Sequence, residues 1–114
     1  MTCGFPKEER LLKRPDFISL SAGGKKFPSS NFLVIVRKNH LGHPRVGLTV
    51  SRKVGNAVVR NRVKRLIREF FRMNKSLFDE ADHSIIAKPG ASHLDFRTVS
   101  AELVKVLSRA HAKL

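Results

Sequence analysis

Residues 57–74 form a helix that can bury only one of its sides, and this restricts everything around it. At 100° per residue, Val59, Val63, Leu66, Ile67 and Phe70 fall within about 100° of one another. Such a stripe has to face a sheet or another helix. Asn61, Lys64, Arg65, Arg68 and Arg72 fall on the opposite side, and Arg60 and Arg62 flank the stripe. Asn56 stands where an N-cap is needed. The only acid in this stretch is Glu69. The ordinary reading of a charged helix face is a solvated one, but such faces intersperse acids with bases at four-residue spacing. Here Lys64/Arg68 and Arg68/Arg72 repel instead, and an anionic partner would offset that cost.

Charge extends the point. The 114 residues carry 23 Lys and Arg against 9 Asp and Glu, a net +14. Residues 51–75 hold nine of the bases and one of the acids, so +8 of the excess lies in about a fifth of the chain. Self-repulsion of this size points to a polyanion, with nucleic acid favoured. An anionic membrane surface is the competing partner. Trp and Tyr, the usual interfacial anchors, are absent. The longest apolar run, Phe32 to Val36, is far short of the roughly 20 residues of a membrane span. No signal-peptide pattern opens the chain, and a cytoplasmic location is expected. Five of the six cations from 60 to 72 are Arg, whose planar fork pairs with phosphate and stacks on bases. Asn61 adds an amide suited to base edges or a sugar hydroxyl.

The rest of the chain reads as one domain, 1–114, with residues 1–10 a polar lead-in. Pro15 to Ser21 suits a short helix stopped at Gly23-Gly24. Lys25 to Pro28 suits a short extended piece. Asn31 to Arg37 and Arg45 to Ser51 read as strands, the second alternating Val46, Leu48 and Val50 with Arg45, Gly47, Thr49 and Ser51. Their closeness across the turn His40 to Pro44 predicts an antiparallel hairpin. His83 to Ala87 is a further short strand. Asp95 caps a last helix with Phe96, Val99, Leu103, Val106 and Ala110 on one face. The order αβββαβα predicts an α+β fold, a single-domain sandwich of a sheet with helices.

Enzymatic groups are sparse. A protein nuclease needs clustered carboxylates for metal or a histidine acid–base pair. The acids are scattered, and Asp79-Glu80-Ala81-Asp82 reads as a solvated loop. His40-x-x-His43 lacks further zinc ligands nearby. Gly23-Gly24-Lys25-Lys26 lacks the spacing and trailing Ser/Thr of a phosphate-binding P-loop. Cys3 is the single cysteine and offers no disulfide. No catalytic residue and no metal ligand is expected in the protein itself. A structural RNA-binding protein, such as a ribosomal protein, fits the same composition. A duplex-DNA reader fits less well, because the basic helix and its strands make no helix-turn-helix.

The run Lys53-Val54-Gly55-Asn56-Ala57-Val58-Val59-Arg60-Asn61-Arg62-Val63-Lys64-Arg65-Leu66-Ile67-Arg68-Glu69 resembles the signature of the bacterial ribonuclease P protein subunit. Lys13-Arg14-Pro15-Asp16-Phe17, Arg45 to Ser51 and Ile85-Ile86-Ala87-Lys88 are similar to the family's first helix and to the strands flanking the motif. The resemblance covers residues 10–110. It implies a mostly antiparallel four-stranded sheet of the ribosomal protein S5 domain 2-like kind. It also implies a protein that binds a large catalytic RNA and helps it remove the 5′ leader of precursor tRNA. The Mg²⁺ of the hydrolysis would be held mainly by the RNA, and no obligate protein partner is implied. By the match, Arg52, Lys53, Asn56, Arg60, Asn61, Arg62, Lys64, Arg65, Arg68 and Arg72 contact RNA. Arg60, Asn61 and Lys64 would also approach the leader near the cleavage site. Phe17, Ile35 and Thr49 fall in a cleft for the single-stranded leader. Many relatives carry aromatics where this chain has Ser21 and Ile35, so weaker or redistributed leader contacts are expected.

Overall fold

The computed structural model describes residues 9–11 and 14–113. Most of the polar lead-in expected over residues 1–10 lies outside them, as does Cys3. Among the described residues, α1 spans Arg14–Gly23, β1 Lys25–Pro28, β2 Phe32–Lys38, β3 Arg45–Thr49, α2 Ala57–Met73, β4 Ala81–Ala87 and α3 Phe96–Lys113. The expected order of elements holds.

β4 organises the sheet. Ala81, His83, Ile85 and Ala87 are buried on one face, and Ser84 is buried on the other. A strand covered on both sides belongs inside a sheet, and the strand order is β1-β2-β4-β3. β4 runs antiparallel to β2 and parallel to β3. The expected β2–β3 hairpin is therefore wrong, because β4 lies between the two strands. The six residues from 39 to 44 step over its end, a gap of roughly 10 Å at two strand spacings. His40 at φ 58° and Gly42 at φ 82° shape this wide turn. Asn39 Nδ2 ties it down by donating to the Asp82 carboxylate (2.9 Å) and to the His43 carbonyl (3.2 Å).

Asp82 corrects a second expectation. Residues 79–82 are not simply a solvated loop, since β4 begins at Ala81, two residues earlier than the apolar pattern suggests. Arg45 Nε and Nη2 donate to the two oxygens of Asp82 at 2.8 and 2.7 Å, and Arg45 Nη1 lies 3.6 Å from Asp16 on α1. Burial pushes the Asp82 carboxyl up, but the bonds from Arg45 and Asn39 outweigh it and hold it below the ordinary carboxylate range. Asp79 likewise has a partner, His111 Nδ1 at 2.7 Å.

Strand register divides the core in two. Phe32, Val34, Val36, Val46 and Ile85 face α2 and α3, meeting Val63, Ile67, Phe70 and Phe71 of α2 and Val99, Leu103, Val106 and Ala110 of α3. Ile35 faces the other way and packs with Leu11 and Leu20, beside the partly buried Phe17, Leu33 and Ile86. α2 and α3 thus form one layer, and α1 lies on the opposite side of the sheet. Asn56 caps α2 by accepting from Val59 N at 3.0 Å, and Asp95 caps α3 by accepting from Thr98 N at 2.8 Å.

His83 lies in the larger core, 1% exposed, with its ring edge-on to Phe78 at 5.0 Å. Nδ1 donates to the Ala81 carbonyl at 3.0 Å. Burial pushes its pKa from 6.5 down to about 4. Below pH 6.5 the unfolded chain therefore gains a proton that the folded chain refuses, and stability falls until about pH 4. The difference corresponds to about 3 kcal/mol. Urea midpoints at pH 7 and pH 4 should diverge, and His83→Leu should narrow the divergence. An equal divergence in the variant would assign acid sensitivity to other groups.

Candidate nucleic-acid interface

α2 lays its apolar stripe on β3 and β4 and turns its opposite side outward. Asn61, Arg65 and Arg68 are exposed along that side, and Lys64 is half-buried. Arg52 and Lys53 are exposed in the turn that leads into the helix. Neither Arg65 nor Arg68 meets an acid or a carbonyl oxygen within bonding distance among the described residues. Repulsion along the row is thus left unrelieved there.

Three of the expected contacts sit differently. Arg72 bonds the carboxylate of Glu69 through both Nε and Nη2, and this bond holds the Glu69 carboxyl below its ordinary range. Arg72 thus has an acidic partner within the helix. Arg62 donates to the carbonyls of Ser92 and Leu94 and so ties α2 to the segment before α3. Arg60 is half-buried, and its Nε is shut off from solvent without an acceptor among the described residues.

A cavity of about 570 Å³ opens beside this row, lined by Arg10, Leu11, Phe17, Val46, Gly47, Leu48, Lys64 and Arg68. Phe17 comes from α1, Gly47 from the middle of β3, and Lys64 and Arg68 from α2. The three elements converge here because Gly47 has no side chain. A Cβ at that position would lie 2.4 Å from Phe17 Cζ. Phe17 accordingly stands on bare backbone, and the cavity has an apolar floor with a cationic wall. Arg10 reaches it because the segment before α1 bridges to the outer edge of β3, with Leu11 N donating to the Val46 carbonyl at 3.0 Å.

The three expected cleft residues share one face of the sheet but are not equivalent. Phe17 lines the cavity. Ile35 is 3% exposed and supports α1 from beneath through Leu20, so it offers no open surface. Thr49 is exposed at the end of β3, opposite Ile86. Arg10, Leu11, Gly47 and Leu48 were missed by sequence reasoning. Of these, only Gly47 left a sign, since a glycine inside an alternating strand marks a close approach.

The family model for Ribonuclease P matches residues 5–111. The chain belongs to the bacterial ribonuclease P protein family. A ribonuclease P protein component from Citrifermentans bemidjiense is 52% identical over 109 residues, covering 96% of this chain and 94% of that one. The solved ribonuclease P protein of Staphylococcus aureus superposes with a TM-score of 0.84 at 35% identity, covering 90% and 94% of the two chains. That of Thermotoga maritima gives 0.82 at 38% identity, covering 89% and 96%. The fold is the family's fold, and the chain is a protein component of ribonuclease P, an endoribonuclease of tRNA processing.

Proposed function

We propose that this ribonuclease P subunit binds the catalytic RNA through the outward row of α2 and the 5′ leader of precursor tRNA through the cavity beside it. The observation that carries this reading is the junction of the two. Lys64 and Arg68 belong both to the basic row and to the cavity wall opposite Phe17. RNA held on the row therefore borders a pocket with an aromatic ring for a base and cations for its phosphates. Arg52, Lys53, Asn61 and Arg65 extend the row. Arg62 and Asn56 have atoms left over from their structural bonds, and Arg60 adds a guanidinium whose Nε has no acceptor among the described residues. Thr49 marks the continuation of the strand's path across the sheet.

The chemistry is assigned to the RNA. Among the described residues no three His, Cys, Asp or Glu side chains come together to hold a metal ion. The better-buried carboxylates are occupied by Arg45, Lys75, Ser29 and Asn31. On this reading the protein supplies charge and shape, and the Mg²⁺ of the reaction is held mainly by the RNA. On this reading the complex works in the cytoplasm.

Arg65→Ala/Arg68→Ala tests the row. Each lost phosphate contact should lower the slope of log K against log salt by about 0.7–0.9, so about 1.4–1.8 for the pair. Titration of the catalytic RNA at several KCl concentrations reads this directly. An unchanged slope would place both side chains away from RNA.

A further inference from the structure

The outer side of α3 repeats the feature that marks α2. Lys105, Arg109 and Lys113 follow at four-residue intervals and are exposed, a spacing at which like charges repel. Glu102 is the only carboxylate of α3, and it is turned toward the β1–β2 connection. It accepts from Ser29 Oγ, from Asn31 N at 2.7 Å and from Asn31 Nδ2 at 2.8 Å. Burial pushes this carboxyl up, but those bonds outweigh it and hold it below its ordinary range. It is thus committed to structure and does not pair with the three cations.

The edge strand adds to the patch. Lys25 Nζ lies 2.6 Å from the Lys113 carbonyl oxygen, and Arg109 donates to the Pro28 carbonyl. Lys105 and Arg109 also line, with Ser29, Ser30, Thr98 and the bonded carboxylate of Glu102, an open groove of about 510 Å³ between β1 and α3. Cations and hydroxyls along an open groove are the groups that contact a phosphate backbone without reading sequence.

Position selects the occupant. β1 and β3 are the two edges of the sheet, so the groove beside β1 and the cavity beside β3 lie at opposite edges. Yet α3 shares the helix layer with α2, while the Phe17 of the cavity comes from α1, on the other side of the sheet. An RNA seated on α2 and large enough to pass beyond it meets the neighbouring α3, whereas the Phe17 cavity shares no lining residue with the groove.

We propose that Lys25, Lys105, Arg109 and Lys113 form a second phosphate-binding surface, which takes a segment of the catalytic RNA distinct from the one on α2. This rests on the proposed role of the α2 row. Lys105→Gln/Lys113→Gln tests it, leaving the Arg109 bond to Pro28 in place. In KCl titrations of the catalytic RNA, the slope should fall by about 1.4–1.8. The effect should add to that of Arg65→Ala/Arg68→Ala, since the sites share no partner. Lys105→Arg/Lys113→Arg should retain the wild-type slope, and thermal melting should show both variants folded. A wild-type slope for the glutamine variant, with the α2 variant reduced, would overturn this surface alone. Wild-type slopes for both would overturn the role of α2 as well. A loss seen only in precursor tRNA affinity of the holoenzyme would assign the surface to substrate and also overturn the proposal.

Discussion

Phe71→Ala should cost about 3–5 kcal/mol of stability, the usual range for emptying a large buried aromatic site. Phe71 is fully buried, and its ring meets Phe78 edge-on at 4.8 Å and 82°. Phe78 in turn contacts Phe70 and His83. The truncation opens a cavity where α2, β4 and the residues between them meet. Against a typical total of 5–15 kcal/mol, it should leave a chain at the edge of folding. Urea denaturation at pH 7 measures this directly. A loss below about 1 kcal/mol would mean that the end of α2 does not dock on the sheet in this way.

Gly47→Val should selectively weaken the handling of precursor tRNA. Phe17 Cζ and Cε1 lie 2.4 and 2.6 Å from the position a Cβ would take, and Leu11 Cβ lies 3.1 Å from it. The ring has to leave the floor of the cavity, taking α1 with it or rotating into the space proposed for the leader. Stacking on an aromatic contributes about 1–3 kcal/mol per base, or roughly 5- to 150-fold in affinity. Holoenzyme made with the variant should lose that factor for precursor tRNA and keep its affinity for mature tRNA. Phe17→Ala should show the same selectivity, without the backbone strain. Equal losses for both RNAs in a folded variant would make Phe17 a packing residue only.

These two sites show where the chain was legible and where it was not. The helix over residues 57–74, its cap at Asn56 and its cationic side follow from spacing alone, because a 3.6-residue period fixes which side chains share a face. Phe71 escaped that reading. It lies about 120° from Val59, outside the stripe, and is buried within the main core, with Phe78 edge-on to its ring. Likewise, the strand pattern found β2 and β3 but not the insertion of β4 between them. Alternation reports which face is covered, and which strand lies alongside is decided by long-range burial. The cavity was half legible. Phe17 and Lys64 were each expected near the leader and Arg68 at the catalytic RNA, but not as walls of one cavity. Only the close approach at Gly47 brings the three together. Arg62 and Arg72 illustrate the opposite limit, since composition counts a cation without revealing the carbonyl or carboxylate that already holds it.

If the RNA carries out the cleavage and this protein assists it, the two contributions separate in one assay. The most direct measurement is cleavage of the 5′ leader of a precursor tRNA by the catalytic RNA at low Mg²⁺, with and without the protein. The expected result is little cleavage by the RNA alone, restoration when the protein is added, and none by the protein alone. Failure of folded, RNA-bound protein to restore cleavage would contradict it and leave a general RNA-binding protein. Cleavage by the protein without RNA would contradict it in the other direction, by placing an active site in the chain itself.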